Sequence, residues 1–314
     1  MKGKSLEMHD NSCEMQQRYR LRDRLSAEKG GKPLTSASEI RNTAVVLAAG
    51  RGSRMKTGTP KQYLEIAGKP LYKYCLDTFE KSALITDIVL VVPEEDVARF
   101  REELRIEFDE SIEDMPDASN SAAGIEEGLC AAEIEEGLCA AGIGAGLTSK
   151  IRAVVPGGRE RYNSVNNALQ AIEWPCDYVF IHDGARPFID EDSIRRLYEA
   201  VKECGACVAG MPSKDTVKIT DEDGIVKQTP DRSHVWIIQT PQVFERKLIT
   251  DAYAAVTEHA EEYAARGIPI TDDAMIVELS TDHPVKLIEA SYSNIKVTTP
   301  EDLAIAEALA SSHP

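Results

Sequence analysis

Short apolar runs rich in β-branched residues alternate with helical stretches from Thr43 onward, and this order constrains the fold more than any other feature. The runs are "TAVVLAA", "DIVLVVP", "IRAVVPG", "DYVFIHD" and "ACVAGMP", and four of them are apolar along nearly their whole length. Strands covered on both faces need such a composition. Their alternation with helices predicts an α/β fold with a doubly wound, mostly parallel sheet.

Four of the five runs end in Gly, Asp or Pro. Ligands of doubly wound sheets bind beyond the carboxyl ends of the strands. The sequence therefore predicts a site built from the loops 49–61, 156–164 and 182–187.

The first loop is basic and contains glycines. It carries four cations, Arg51, Arg54, Lys56 and Lys61, but matches neither a Walker A loop nor a dinucleotide fingerprint. Arg54 and Lys61 are suited to hold separate oxygens of a polyphosphate and to offset charge on a leaving pyrophosphate. A solvated basic loop explains the local pattern equally well.

The second loop, "PGGRERYNSV", places two glycines at a strand end. Gly157 and Gly158 allow the backbone to approach a ligand closely. Backbone groups there are suited to read the edge of a base, and the Ser164 hydroxyl adds a contact. An ordinary glycine turn before a helix is the alternative.

The third loop, "FIHDGARPFI", follows a strand that ends in a carboxylate, Asp183. Next to phosphate-binding loops, that carboxylate is a natural ligand of Mg²⁺, which uses one or two protein carboxylates with phosphate oxygens and water. Arg186 is suited to bind a second phosphate through two nitrogens. We expect His182 to be a packed strand residue, and no spacing suggests a covalent intermediate.

Bulk composition narrows the functional class. The formal net charge of −17 argues against a general nucleic-acid binder, and no apolar run approaches the roughly 18–20 residues of a membrane span. The amino terminus lacks a secretory pattern. Seven cysteines without a regular framework indicate a reduced, cytoplasmic protein. We expect the Cys204–Cys207 pair to pack structurally rather than to serve redox or metal chemistry.

Three segments depart from the alternation. Residues 1–41 are polar and weakly periodic and read as an extension, with the main domain over 42–312. Residues 108–150 are an acidic, low-complexity insertion that contains the nine-residue repeat "IEEGLCAAE". Residues 212–238 alternate apolar and polar residues around Asp223-Gly224, which predicts a projecting β-hairpin arm.

The ordered motifs resemble one enzyme family, the 2-C-methyl-D-erythritol 4-phosphate cytidylyltransferases. The blocks are "LAAGRGSRM", "PKQYLEIAGKPL", "VVPGGRERYNSV", "HDGARPFI", "KDTVK", "DRSHVWIIQTPQVF", "TDDAMIVE" and "NIKVTTPEDLAIAEALA". They span residues 43–310 apart from the insertion. The resemblance implies a Rossmann-like nucleotide-binding sheet, and a homodimer formed through the arm.

The resemblance also assigns roles to residues. It places cytosine recognition on Ala48, Ala49, Gly158 and Ser164, with Gly50 and Gly52 letting the loop follow the nucleotide. It assigns stabilisation of the triphosphate to Arg54 and Lys61, and the Mg²⁺ ligand to Asp183. The residues that hold and orient the methylerythritol phosphate are then Arg186, Thr216, Arg232 and Lys296, of which Arg232 and Lys296 also count as catalytic.

The implied reaction is transfer of CMP from CTP to 2-C-methyl-D-erythritol 4-phosphate with release of pyrophosphate. The attacking phosphate is already an anion, so no general base is needed. A ribitol-5-phosphate cytidylyltransferase is the alternative with the same fold, and a non-catalytic nucleotide-binding paralogue is the alternative of another class.

Overall fold

The predicted alternation forms one central sheet with two small β-ribbons. The computed structural model describes residues 40–50, 63–104 and 150–312. Its strands are β1 Asn42–Leu47, β2 Glu65–Ile66, β3 Lys69–Pro70, β4 Asp87–Val92, β5 Ile151–Pro156, β6 Tyr178–Asp183, β7 Ala206–Pro212, β8 Ile219–Thr220, β9 Val226–Gln228, β10 Trp236–Glu245 and β11 Lys286–Glu289.

The central sheet has seven strands in the order β5-β4-β1-β6-β10-β7-β11. The first four strands in this order run parallel to one another, and so do β7 and β11. Only β10 among these seven strands runs antiparallel to its neighbours. The predicted doubly wound, mostly parallel sheet is therefore confirmed.

Helices cover both faces of this sheet. Three of them lie in the connections between the parallel strands β1, β4, β5 and β6, as parallel pairing requires. Their bounds are α1 Leu71–Lys81, α2 Val97–Leu104, α3 Arg161–Gln170, α4 Glu191–Cys204, α5 Arg246–Glu258, α6 Ala260–Ala265, α7 Asp273–Ser280 and α8 Pro300–Ser312. None of these helices is both long and apolar enough to cross a bilayer.

The core lies on both sides of the sheet, which accounts for the continuous apolar runs. Successive strand residues point to opposite faces. Val46 belongs to a buried cluster with Phe79 and Phe180, whereas its neighbour Val45 belongs to a second buried cluster with Tyr253. A polar residue on either face of β1 would thus meet a packed core.

The predicted hairpin arm is present, but its carboxyl-terminal boundary differs. Strands β8 and β9 pair around the turn at Gly224, whose φ of 79° suits glycine. Strand β10 begins at Trp236, inside the predicted arm, and enters the central sheet between β6 and β7. The alternation of apolar and polar residues in β10 is typical of a half-exposed hairpin strand. In the structure several of these polar residues are buried, and hydrogen bonds rather than apolar contacts stabilise them.

The prediction for the Cys204–Cys207 pair can also be compared with the structure. Cys207 is buried and both Cys204 and Cys207 are free thiols, as structural packing requires. Helix α8 begins with a reciprocal pair of hydrogen bonds: the Thr299 hydroxyl oxygen accepts from the Asp302 N–H at 3.4 Å, and the Asp302 carboxylate accepts from the Thr299 N–H at 2.9 Å. The predictions for the amino-terminal extension to residue 39 and for the insertion to residue 149 lie outside the described residues.

Candidate active site

The candidate site lies where β1 and β6 end side by side. Leu47 at the end of β1 is paired in register with Asp183 at the end of β6. From β1 the chain winds outward through β4 and β5 and then returns to β6 on the other side. This reversal of strand order opens a crevice at the carboxyl ends of the strands, the usual ligand position in such sheets.

The loops after β1 and β5 touch at their glycines and alanines. A Cβ atom added to Gly157 would lie 2.3 Å from the Cβ atom of Ala49, so only glycine permits this contact. Ala48 is buried, and its N–H donates to the Val91 carbonyl at 2.7 Å. The two loops therefore form one continuous backbone surface beside the crevice, with Gly50 exposed next to it.

The turn into α3 is tight and internally bonded. The Gly158 N–H donates to the Ser164 hydroxyl oxygen at 2.9 Å, and Ser164 is buried. Glu160 and Asn163 form a reciprocal capping box at the helix start. The predicted cytosine-reading residues Gly158 and Ser164 are thus brought together, each currently bonded to the other.

Asp183 forms ion pairs with two cations of the site. Its Oδ2 atom lies 2.6 Å from Lys296 Nζ, and its Oδ1 atom lies 3.1 Å from Arg161 Nε. Burial opposes ionisation of this carboxyl, but the positive charges of Arg161 and Lys296 outweigh it and hold its pKa well below the usual range. Asp183 is therefore a fixed anion.

Arg161 is held on its other side by a second carboxylate, Asp273. The Nη1 and Nη2 atoms of Arg161 donate to the two oxygens of Asp273, each at 2.8 Å. The Tyr253 hydroxyl donates to the same carboxylate at 2.5 Å. Burial disfavours the charged guanidinium, but Asp273 and Asp183 more than compensate and raise the pKa of Arg161 above its ordinary value.

A glutamine of β10 fixes the position of Asp273. The Gln242 Oε1 atom accepts from the backbone N–H groups of Asp273 and Ala274 at the start of α7, both at 2.9 Å. Its Nε2 atom donates to Asp272 Oδ2, also at 2.9 Å. Helix α7 is thereby held against the sheet directly behind the Arg161 pair.

Arg186 connects three segments around the site. Its Nη1 atom donates to the Asn294 carbonyl at 2.9 Å and its Nη2 atom to the Ile238 carbonyl at 3.2 Å. Its Nε atom is buried and has no hydrogen-bond partner among the described residues. Burial lowers the pKa of Arg186, and its charge still acts on Asp183. The predicted phosphate ligand therefore also has a structural role.

His182 is a core residue, as expected. The ring is fully buried, with Nδ1 3.1 Å from Thr240 Oγ1 and Nε2 3.0 Å from the Arg186 carbonyl oxygen. Burial lowers the pKa of His182 to about 4. Both ring nitrogens are occupied, so His182 is not available as a proton acceptor for a ligand.

Two of the remaining predicted residues lie in exposed segments on either side of the β8–β9 ribbon, and three lie outside the described residues. Thr216 is exposed on the segment between β7 and β8. Arg232 is exposed in the single 3₁₀ turn Arg232–His234 that precedes β10. The residues that fall outside the described part of the chain are Gly52, Arg54 and Lys61.

Sequence reasoning missed Arg161 and Asp273. Arg161 stands in a block with two other charged residues, "RER", and nothing local separates it from Arg159. Asp273 follows Asp272 at a helix start, where either acid could be the cap; the structure shows that Asp272 accepts from the Met275 N–H and Asp273 is buried. The sequence signal for Asp273 was its position: it comes one residue after the helix cap Asp272, on the apolar side of the helix.

The site fits a magnesium ion that takes one protein carboxylate, Asp183, as its ligand. Among residues 40–50, 63–104 and 150–312, no group of three or more His, Cys, Asp or Glu side chains is arranged to hold a metal. Asp183 offers one carboxylate at the crevice, which matches the way Mg²⁺ completes its shell with phosphate oxygens and water. Both Asp183 oxygens contact cations, so a metal ion on Asp183 would either share the carboxylate with Lys296 and Arg161 or displace one of these two contacts.

Comparison with known proteins places this chain in a family. The family model described as "IspD: 2-C-methyl-D-erythritol 4-phosphate cytidylyltransferase" matches residues 42–138 and 140–312. The protein of that name from Lachnoclostridium phytofermentans is 40% identical over 271 residues, which cover 86% of this chain and 97% of that one. The one from Pelotomaculum thermopropionicum is 40% identical over 266 residues, covering 85% and 92%.

Solved structures give the same result. The 4-diphosphocytidyl-2C-methyl-D-erythritol synthase of Anaerococcus prevotii superposes with a TM-score of 0.62 at 30% identity, covering 87% of this chain and 96% of that one. The 2-C-methyl-D-erythritol 4-phosphate cytidylyltransferase of Francisella tularensis gives 0.58 at 27% identity, covering 85% and 99%. The resemblance read from the motifs is thus confirmed over nearly the full length of its relatives, and the chain belongs to the 2-C-methyl-D-erythritol 4-phosphate cytidylyltransferase family.

Proposed function

We propose that this chain transfers CMP from CTP to 2-C-methyl-D-erythritol 4-phosphate and releases pyrophosphate. One observation supports this most directly: the ionised carboxylate of Asp183 lies at the strand-order reversal with the cations Arg161, Lys296 and Arg186 around it. Such a charge arrangement suits a polyphosphate that arrives with a divalent cation. Family membership supplies the identity of the two substrates.

The reaction needs positioning more than proton transfer. A substrate phosphate oxygen forms a bond to the α-phosphorus of CTP, and the bond from that phosphorus to the bridging oxygen breaks as pyrophosphate leaves with the electron pair. The attacking oxygen is already anionic and needs no base, and the neighbouring His182 is buried and bonded at both nitrogens. Orientation and charge screening then carry the rate.

The residues divide this work by position. The backbone surface formed by Ala48, Ala49 and Gly158 is proposed to hold the cytosine, with the Ser164 hydroxyl exchanging its present partner for the base. Arg54 and Lys61 are proposed to screen the triphosphate. Lys296 and Arg186, together with residues of the arm, are proposed to orient the acceptor phosphate.

Mg²⁺ is the proposed cofactor, with Asp183 as its protein ligand. When bound it would supply charge neutralisation on the α-phosphate and the departing pyrophosphate. Within the chain, Lys296 is the cation suited to give up its Asp183 contact and move to a substrate phosphate, because it is long, flexible and partly exposed.

We further propose a homodimer formed through the arm. The arm exposes three large apolar side chains, Ile219, Ile225 and Val226, on a two-stranded ribbon that is marginally stable alone. Thr216, on the same arm, would then reach the partner's site. Mixing Thr216→Ala and Lys61→Ala subunits is expected to restore activity above that of either variant, because only an arm acting on its partner recreates an intact site.

Location is proposed to be cytoplasmic. The four cysteines of the described chain are free thiols, of which Cys75 and Cys207 are buried. Thiols that persist without pairing fit a reducing compartment. Resistance of the folded protein's activity to a thiol reductant is the expected behaviour, and loss of activity on reduction would contradict the assignment.

Pyrophosphate release from CTP is the decisive measurement. We expect turnover with 2-C-methyl-D-erythritol 4-phosphate and Mg²⁺, little turnover with ribitol 5-phosphate, and almost none after chelation of the metal. Faster release with ribitol 5-phosphate would assign the alternative substrate. A protein that binds CTP without releasing pyrophosphate with either acceptor would instead be a non-catalytic nucleotide-binding relative.

A further inference from the structure

The guanidinium of Arg161 separates two carboxylates that come from distant parts of the chain. Its Nε atom lies 3.1 Å from Asp183, and its Nη1 and Nη2 atoms lie 2.8 Å from the oxygens of Asp273. One planar group thus has a carboxylate on each of two edges. Without the cation between them, two such close carboxylates would repel each other or attract another cation.

Asp273 keeps Arg161 from moving. The Asp273 side chain is fully buried, receives the Tyr253 hydroxyl, and sits at a helix start that Gln242 fixes to the sheet. A bidentate pair of this kind resists displacement, because leaving it would strand a buried charge. Arg161 is therefore a fixed cation of the site.

Lys296 differs from Arg161 in each of these respects. Its side chain is 36% exposed, compared with 27% for Arg161, and it meets Asp183 through one ammonium at 2.6 Å. An ammonium on a flexible stem is easily exchanged for another cation. Of the two Asp183 oxygens, the one facing Lys296 is therefore the one that a metal ion would take.

The charges of these groups set the order of binding. Two carboxylates, Asp183 and Asp273, are balanced by Arg161 and Lys296, and Arg186 adds a further positive charge that acts on Asp183. A bare divalent cation gains little from such surroundings. We propose that Arg161 is a positioning residue that prevents Asp183 and Asp273 from forming a two-carboxylate cation site, so that a divalent cation binds together with the nucleotide.

Manganese binding in the absence of nucleotide tests this directly. Mn²⁺ accepts the same carboxylate and water ligands as Mg²⁺, and its free form is counted by electron paramagnetic resonance. We expect Arg161→Met to bind Mn²⁺ at least about tenfold more tightly than the wild type, since a unit charge near a carboxylate is worth that or more. Arg159→Met, at an exposed position in the turn just before α3, is the matched control and should behave as the wild type.

Two further variants complete the test. The double variant Arg161→Met/Asp273→Asn removes the second carboxylate and should lose the gain. Arg161→Lys keeps the positive charge but lacks the guanidinium fork that spans both carboxylates. Without CTP this variant should bind Mn²⁺ no more tightly than the wild type, and with CTP it should bind Mn²⁺ at least about tenfold more weakly. Unchanged nucleotide-free binding in a folded Arg161→Met protein would overturn the proposal, and if that variant does not fold, unchanged Mn²⁺ binding by Arg161→Lys with CTP would do so.

This inference rests on the proposed function for the identity of the nucleotide. The nucleotide-free measurement uses Mn²⁺ alone, without CTP or turnover. A wild-type protein that fails to release pyrophosphate would therefore refute the proposed reaction while leaving the role of Arg161 to the binding result.

Discussion

Replacing His182 by glutamine should flatten the acid dependence of stability. The imidazole is fully buried between Thr240 and the Arg186 carbonyl, with its ring edge against Phe79 at a centroid distance of 5.3 Å. Burial lowers its pKa from 6.5 to about 4. The native state therefore keeps the ring neutral at a pH at which the unfolded chain already protonates it.

The sign and size follow from this difference. The unfolded state binds the extra proton first, so stability is complete above pH 6.5 and falls as the pH is lowered toward 4. Between pH 7.5 and pH 5 the free energy of unfolding should fall by about 2 kcal/mol through this group alone. Glutamine is of similar length and carries no titrating group, so His182→Gln should lose that slope even though its stability at pH 7.5 is lower.

Urea unfolding at a series of pH values measures the slope. The relevant quantity is the difference in slope between the wild type and His182→Gln, because other groups titrate equally in both. The exposed His259 provides the control His259→Gln, which should retain the wild-type slope. If His182→Gln and the wild type lose stability in parallel between pH 7.5 and pH 5, the argument from burial is wrong.

Three other substitutions test the site. Lys61→Ala should reduce turnover far more than CTP affinity, and equal losses in kinetics and calorimetry would contradict a role in charge screening. Gly157→Ala places a methyl group 2.3 Å from a neighbouring Cβ atom, so we expect a loss of about 1–3 kcal/mol in urea unfolding with weaker CTP binding; unchanged CTP binding would argue against this loop as the base site. Tyr253→Phe should lower the free energy of unfolding by about 1.5–3 kcal/mol, because the Tyr253 hydroxyl donates to the buried Asp273 carboxylate. The control Tyr292→Phe, at an exposed position, should lower it by less than about 1 kcal/mol. Similar losses in the two variants would contradict this role of the Tyr253 hydroxyl.

The fold was predictable because its signal is local. Most central strands other than β10 and β11 are nearly continuous apolar runs, since helices cover both faces of the sheet. Strand β10 was not recognised because Gln239, Thr240 and Gln242 are buried but polar, and their hydrogen bonds are formed with residues far away in sequence. A hydropathy pattern does not show hydrogen bonds between residues that are distant in sequence.

The site likewise has residues that the local sequence predicts and residues that it does not. Asp183 and the Gly157-Gly158 turn were predicted from their position at strand ends, which is a property of the local sequence. The pairing of Arg161 with Asp273 joins residues 112 positions apart, and neither residue type is unusual where it stands. Such a pair follows from the packing of α7 on the sheet, which sequence periodicity does not determine.

Strand β10 connects the arm to the site through its own backbone and side chains. It starts just after the arm, its Ile238 carbonyl receives Arg186, its Thr240 hydroxyl receives the Asp183 N–H, and its Gln242 holds the start of α7. Local opening of this one strand would therefore release all three supports together. Protection of the β10 amides against hydrogen exchange and the assembly of the catalytic groups should then rise and fall as one cooperative unit, so that whatever stabilises the base of the arm also stabilises the site.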